Sequence, residues 1–303
     1  MTRFGKIIIP LVAVLTAVAA ITLLRRPVRM TFTSPKQAAE QLVVALRADD
    51  LRTAELILGR GSDILIRSGD DLADKDRRRR FVAAYDKHTT FAVQNPSRVT
   101  LLVGADNWPF PIPLINETNG WRFNIGAGVR ELVARRIGRD EVDAINECKA
   151  FVAAEREYAA VDSGDSVLEY AQRLSSTGQR EDGLYWPAGK RRQPSPLGPA
   201  FARAEVHPGR DDVTPYDGYY FRVLAAQGPA ARGGAYSYLA HGRMIGGFAL
   251  IAFPAKYGST GIMTFIVNDD DTVFQNDLGA DTRRIAERTM MFNPGRGWSR
   301  AKI

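Results

Sequence analysis

Residues 7–24 form a run of 18 without a single charged side chain, and a water-soluble globule has few ways to place such a segment. Pro10, Thr16 and Thr22 are its interruptions, and eleven of its members are Ile, Leu or Val. Each of those contributes roughly −0.3 to −0.6 kcal/mol to insertion near the centre of a bilayer helix, so their sum favours lipid. As a helix rising about 1.5 Å per residue the run reaches roughly 27 Å, close to the ~30 Å of hydrocarbon in a bilayer. A core helix of a soluble protein carries a polar stripe, and this run has none. The sequence therefore predicts that residues 1–29 are a signal peptide or a transmembrane anchor, and that the membrane is a partner through this helix. Ala17-Val18-Ala19 offers the small-x-small pattern of signal-peptidase cleavage. The apolar character continues through Ile21, Leu23 and Leu24, which favours a retained anchor. Arg3 and Lys6 on one flank face Arg25, Arg26 and Arg29 on the other, close to a tie by positive charge. A short tail ahead of a long folded region stays inside as a rule. The expectation is an inner-membrane anchor with periplasmic (extracytoplasmic) domains, or a periplasmic protein if the signal is cut.

The remainder reads as ordinary globular protein, with hydrophobic content of 45% and charged content of 25% over 303 residues, which suits two domains. Arg3, Lys6, Arg25 and Arg26 supply four of the net seven positive charges, leaving +3 for everything else. The basic run at residues 77–80 follows Asp70, Asp71, Asp74 and Asp76, so its field is partly cancelled within a Debye length of about 10 Å. A solvated helix face is the expected reading, with no nucleic-acid partner. Cys148 stands alone, so no intramolecular disulfide can form, and its neighbours Ile145 and Val152 place it in a core. His88, His207 and His241 lie far apart without metal-ligand spacing, so neither a metal nor a cofactor is expected.

Ser34-Pro35-Lys36-Gln37 has the form of an N-cap, a proline at the first helical position and a capping-box Gln, with Ala39, Leu42, Val43 and Leu46 following at helical spacing. Asp50 can cap a second helix that Gly59 ends, and a third is predicted over residues 74–85. The period then changes to two, predicting strands at 89–94, 98–103 and 109–115, with Asn119-Gly120 turning the chain into a strand from Trp121. A helix carrying Val129, Leu132, Val133 and Ile137 follows, then a separate long helix over 140–161 and a short one over 167–174. Residues 175–217 are expected as a long Pro/Gly-rich loop. Strands are predicted at 219–224, 247–253, 261–267 and 273–275, and a last helix over 281–291.

Helices followed by a curved antiparallel sheet make an α+β arrangement. The opening helices and the late Gly120-Trp121-Arg122-Phe123 strand of residues 31–139 resemble the NTF2-like (cystatin-related) fold, whose cone can hold a ligand. Residues 140–303 resemble the globular part of type II pseudopilins, a long helix followed by an antiparallel sheet. The start departs from a prepilin, because Gly5 is followed by Lys6-Ile7-Ile8-Ile9-Pro10. Tyr216-Asp217-Gly218-Tyr219-Tyr220-Phe221-Arg222-Val223-Leu224 and Gly246-Gly247-Phe248-Ala249-Leu250-Ile251-Ala252-Phe253-Pro254-Ala255-Lys256-Tyr257-Gly258 are distinctive. Together with Ser68-Gly69-Asp70, Trp108-Pro109-Phe110-Pro111-Ile112-Pro113-Leu114 and Arg135-Arg136-Ile137-Gly138, they resemble DUF2950, a bacterial family of exported proteins of unknown function. That resemblance implies an envelope location and no particular activity.

No catalytic motif stands out. Asn268-Asp269-Asp270-Asp271 has oxygen ligands but reads as a hairpin turn, and the acids around Asp162 and Asp165 read as helix capping. The expected function is a non-catalytic binding or assembly module of the envelope with an envelope protein as its possible partner. The alternative is a small-ligand binder or hydrolytic enzyme that uses a cavity in the N-terminal domain. For that alternative, Asp70, Tyr85, His88 and Trp108 are the candidate ligand-binding residues.

Overall fold

The computed structural model describes residues 30–66, 71–160, 167–177, 182–187, 194–206 and 213–302. The apolar run at 7–24 and Asp70 therefore lie outside the described residues. Among the described residues no helix is long and apolar enough to cross a membrane. The chain falls into two compact units that divide between Glu131 and Leu132, and both combine helices with antiparallel sheet.

The first unit opens with α1 (Pro35–Arg47) and α2 (Leu51–Leu58), each started by the cap that its sequence announces. Ser34 Oγ accepts from the Gln37 amide at 3.1 Å, and Gln37 reaches back to the Thr33 amide at 2.9 Å. Asp50 accepts from the Thr53 amide at 3.0 Å. These acceptors satisfy amides that have no intrahelical partner. A short α3 (Asp63–Ile66) and α4 (Asp71–Lys87) follow. The basic run on α4 is largely paired, with Arg77 on Asp74, Arg78 on Asp49 and Arg80 on Asp76.

Strands β1 (Thr89–Asn95), β2 (Arg98–Val103), β3 (Trp108–Pro109), β4 (Leu114–Glu117) and β5 (Gly120–Phe123) form one antiparallel sheet in the order β1-β2-β4-β5, with β3 beside β2. The strand expected over 109–115 is split in two. Pro109, Pro111 and Pro113 have no N–H to give to a ladder, so after the Phe110 amide donates to the Leu101 carbonyl at 2.8 Å the pairing lapses until Leu114. At the far edge the backbone of Phe32 exchanges two hydrogen bonds with Trp121, at 2.7 and 2.8 Å. Gly120 makes that approach possible, because a Cβ there would sit 2.6 Å from the Phe32 carbonyl oxygen.

Helix α5 (Ile125–Ala159) replaces the two helices expected here. Gly138, between the two expected helices, lies mid-helix with open space around it, and no proline follows. A lone Gly costs about 1 kcal/mol against Ala, too little to break 35 residues of otherwise good helix formers.

In the second unit, Ala144, Ile145, Cys148, Phe151 and Val152 of α5 belong to one core with the sheet residues. Strand β6 (Arg173–Ser175) pairs in parallel with β7 (Gly183–Tyr185), and a single turn, α6 (Pro199–Ala202), precedes β8 (Tyr219–Leu224). Two small hairpins follow, β9 (Ala226–Gln227) with β10 (Tyr236–Ser237) and β11 (Leu239–Ala240) with β12 (Arg243–Met244). The main sheet adds β13 (Ala249–Pro254), β14 (Met263–Asn268), β15 (Phe274–Asp277) and β16 (Ser299–Arg300), all antiparallel in the order β16-β15-β14-β13-β8. Every residue of β13 is buried, which accounts for its unbroken apolar sequence. Helix α7 (Thr282–Arg288) is shorter than expected from the sequence.

The helix expected over 167–174 is absent, and the reason is where its amides go. Ala171 donates to Glu155 Oε2 at 2.8 Å, Leu174 to Glu205 Oε2 at 2.8 Å, and Tyr170 to the Met244 carbonyl at 2.8 Å. Partners distant in sequence outbid the intrahelical bonds. Glu155 and Glu205 are 0% and 3% exposed. Arg222, on β8, is buried likewise and donates to the carbonyls of Ala286 at 2.8 Å and Glu287 at 2.6 Å, and also to that of Thr289. It thereby closes the C-terminus of α7.

Two predictions follow from these buried charges. Burial pushes the Glu155 carboxyl well above its ordinary value of 4.5, and the Glu205 charge adds to the shift. A carboxyl harder to ionise in the folded chain stabilises the fold fully below that ordinary value and loses its contribution as pH rises. Glu155→Gln, a copy of the protonated acid, is expected to melt with the parent near pH 4 and above it at pH 8, by thermal unfolding followed by circular dichroism. A difference that shrinks with rising pH would contradict this. Arg222→Met leaves three helix-end carbonyls without their donor and should cost about 3 kcal/mol in urea unfolding. A loss below about 0.5 kcal/mol would show the contacts to be dispensable.

Candidate functional site

The sequence-derived candidates gather at one end of the first unit's sheet. Tyr85 is half-buried in the last turn of α4, in a cluster with Phe81, Leu101, Val103 and Phe110. Burial raises its phenol pKa, with the charges of Glu40 and Asp86 adding to the effect. His88 is exposed, and its carbonyl accepts the Gly104 amide at 2.9 Å. Trp108 is 47% exposed and pairs across β3 with Val103. Asp70 lies outside the described residues. Where a cone would be open, the sheet's inner face is filled. Phe81 meets Phe110 with ring centroids 5.1 Å apart, and Phe110 meets Phe123 at 6.0 Å.

Space is found elsewhere in the same unit. A cavity of about 750 Å³ opens between Met30, α2, the loop 59–63, the end of β5 and the start of α5, and Tyr85, His88 and Trp108 are not among its described lining residues. Its size falls within the range of small-ligand sites, roughly 300–1,000 Å³. Helix α2 brings Arg52, Glu55 and Leu56 to it, one to four residues apart on a face that the helical period keeps together. Ile57 and Leu58 are buried beneath, anchoring that wall. The loop can turn tightly because Gly59 and Gly61 take φ of 104° and 87°. Ser62, fully buried, has its amide on the Gly59 carbonyl at 3.2 Å and its hydroxyl on the Glu55 carbonyl at 3.4 Å.

The opposite wall comes from β5 and α5. Arg122 is held by Glu117, with Nε donating to Oε2 at 2.9 Å. Asn124 caps α5, accepting the Ala127 amide on its side chain at 3.2 Å and the Gly128 amide on its carbonyl at 3.0 Å. The first amides of that helix, at Ile125 and Gly126, have no intrahelical acceptor and lie in the cavity lining. Arg52 and Arg60 are exposed and form no ion pair among the described residues. The cavity thus joins apolar side chains to guanidinium groups and to amides without an intrahelical acceptor, the chemistry of binding an anion beside a hydrocarbon. Ser62 is the one hydroxyl side chain among the described lining residues, and its hydroxyl donates to the Glu55 carbonyl.

The second unit holds a row of carboxylates. Burial raises the pKa values of Asp140 and Glu147, and the charges of Asp143 and Asp217 push both further up. Among the described residues no group of three His, Cys, Asp or Glu side chains is arranged to hold a metal ion. Asn268 to Asp271 forms a turn in which the Asp271 amide donates to the Asn268 carbonyl at 3.0 Å. Cys148 is fully buried, and burial pushes its thiol far above the usual range, away from reactivity.

The family model described as protein of unknown function (DUF2950) matches residues 29–301. The chain belongs to this family. No match is found among curated proteins or among solved structures. The DUF2950 match takes in both folded units and begins five residues after the apolar run ends.

Sequence reasoning treated Gly59 as a helix stop and went no further. The signal available was a Gly59-Arg60-Gly61-Ser62 turn bearing a basic side chain, with Arg122 two residues before Asn124. Gly59 tests how this wall is built, since a Cβ there would meet only Ile125, at an ordinary 3.5 Å. Gly59→Ala should nonetheless destabilise the protein by about 1–3 kcal/mol in denaturant unfolding, because φ of 104° with ψ of 170° is nearly closed to L-residues. Unchanged stability would mean that the loop relaxes freely.

Proposed function

We propose that this DUF2950 protein is an exported, non-catalytic binding module of the cell envelope, tethered to the membrane by residues 7–24. The observation that carries this reading is the charge-free run of 18 residues immediately ahead of the family-matched region. Binding is favoured over catalysis by the described lining of the cavity, where guanidinium groups, amides and apolar side chains meet.

The finer fold likenesses belong to the same proposal. An NTF2-like first unit is supported by helices that precede an antiparallel sheet ordered β1-β2-β4-β5. A reused pilin-like second unit is supported by a long helix followed by the antiparallel sheet from β8 to β16. An experimental structure in which either sheet followed another strand order would remove the corresponding likeness.

Alkaline phosphatase fused after Ile303 tests the tethering. An active fusion, recovered with membranes and carrying an intact start, is the expected result. An inactive fusion folded in the cytoplasm would overturn it.

A further inference from the structure

The cavity of the first unit has two kinds of lining, and together they describe one kind of ligand. Met30, Leu56 and Ile125 bring apolar side chains that gain from covering hydrocarbon. Arg52 and Arg60 bring guanidinium groups, and α5 brings its first amides. Arg52 and Arg60 have no carboxylate partner among the described residues, so their charge is available to an incoming group. Arg122 is already engaged by Glu117 and adds shape more than free charge. Glu55 and Asp63 also line the space, which argues against an inorganic anion held by charge alone. The apolar wall has to supply part of the affinity.

We propose that this cavity binds an anionic amphiphile. A phosphate or carboxylate head is held by Arg52, Arg60 and the Ile125 and Gly126 amides, and the adjoining hydrocarbon lies against Met30, Leu56 and Ile125. Arginine suits such a head because its planar fork matches two oxygens at once. A cavity of about 750 Å³ takes the head and the first part of a chain rather than a whole bilayer lipid. Only the source of the ligand rests on the tethered reading. Met30 lines the cavity six residues after Leu24 ends the apolar run, and six residues span at most about 20 Å. On that reading the mouth stays within reach of the anionic headgroups of the membrane itself.

The test uses the full chain in a non-ionic detergent, titrated by calorimetry with dihexanoyl phosphatidylglycerol, dihexanoyl phosphatidylcholine and inorganic phosphate. Phosphatidylglycerol is expected to bind about tenfold or more tighter than either of the others; the phosphatidylcholine arm also accounts for partition into micelles. The double variant R52E/R60E should lose about a hundredfold, two charge-assisted contacts at about tenfold each. The double variant K75E/R79E makes the same charge change on exposed positions of α4 away from the cavity, and should stay within about twofold. Equal affinity for the two lipids, phosphate as tight as phosphatidylglycerol, equal losses in both double variants, or no binding would each overturn the assignment. An inactive phosphatase fusion alongside intact discrimination between the lipids would overturn the tethering and leave the ligand class standing.

Discussion

Backbone amides that leave water must find an oxygen, and in the second unit buried carboxylates provide it. Glu155 on α5 and Glu205 ahead of β8 accept the amides of Ala171, Leu174 and Ser175, so a stretch with little regular structure can cross a core. Arg222 answers the complementary need at the end of α7, where carbonyls lack donors. Each contact joins segments remote in sequence. The sheet, the long helix and the irregular connection are therefore stable only together, and the cost of keeping ionisable groups inside is offset by the backbone they satisfy.

The same dependence explains what was legible in the sequence. Caps act within four residues, and Ser34, Asp50 and Gly59 all start or stop helices as local chemistry dictates. Strands β8, β13 and β14 were visible because short apolar and aromatic runs bounded by turn residues mark buried strands. The stretch 167–174 misled because its spacing suits a helix while its hydrogen-bond partners lie at Glu155, Glu205 and Met244. No local pattern records such partners. The division expected between Ile137 and Asp140 erred in the opposite direction, since the single glycine there does not break a helix whose flanking chain continues as helix.

The binding residues were less legible than the fold. Reasoning from a cone-shaped sheet directed attention to its interior and so to Tyr85, His88 and Trp108. That interior depends on how large the inward side chains are, and Phe81, Phe110 and Phe123 fill it with ring against ring. An open volume falls instead where two chain turns meet, the one after α2 and the one that joins β5 to α5. Elements that terminate at one place leave unpaired amides and gaps that regular packing does not close, which is why such junctions so often hold ligands.

A junction of this kind also differs from a core in what it demands of its side chains. Ile57, Leu58 and Phe123 are buried at 2%, 4% and 3% exposure and give the cavity a fixed floor, whereas Arg52, Leu56 and Arg60 stand at the rim and carry no part of the core. Stability and recognition are thus assigned to separate residues of the same short helix and turn. Rim side chains can change without unfolding the unit, so the ligand is specified by groups that the fold itself does not need. On the proposed tethering, Met30 belongs to both classes of constraint, being the first described residue after the apolar run and a wall of the cavity. Attachment to the membrane and access to the cavity would then be set by the same few residues of chain.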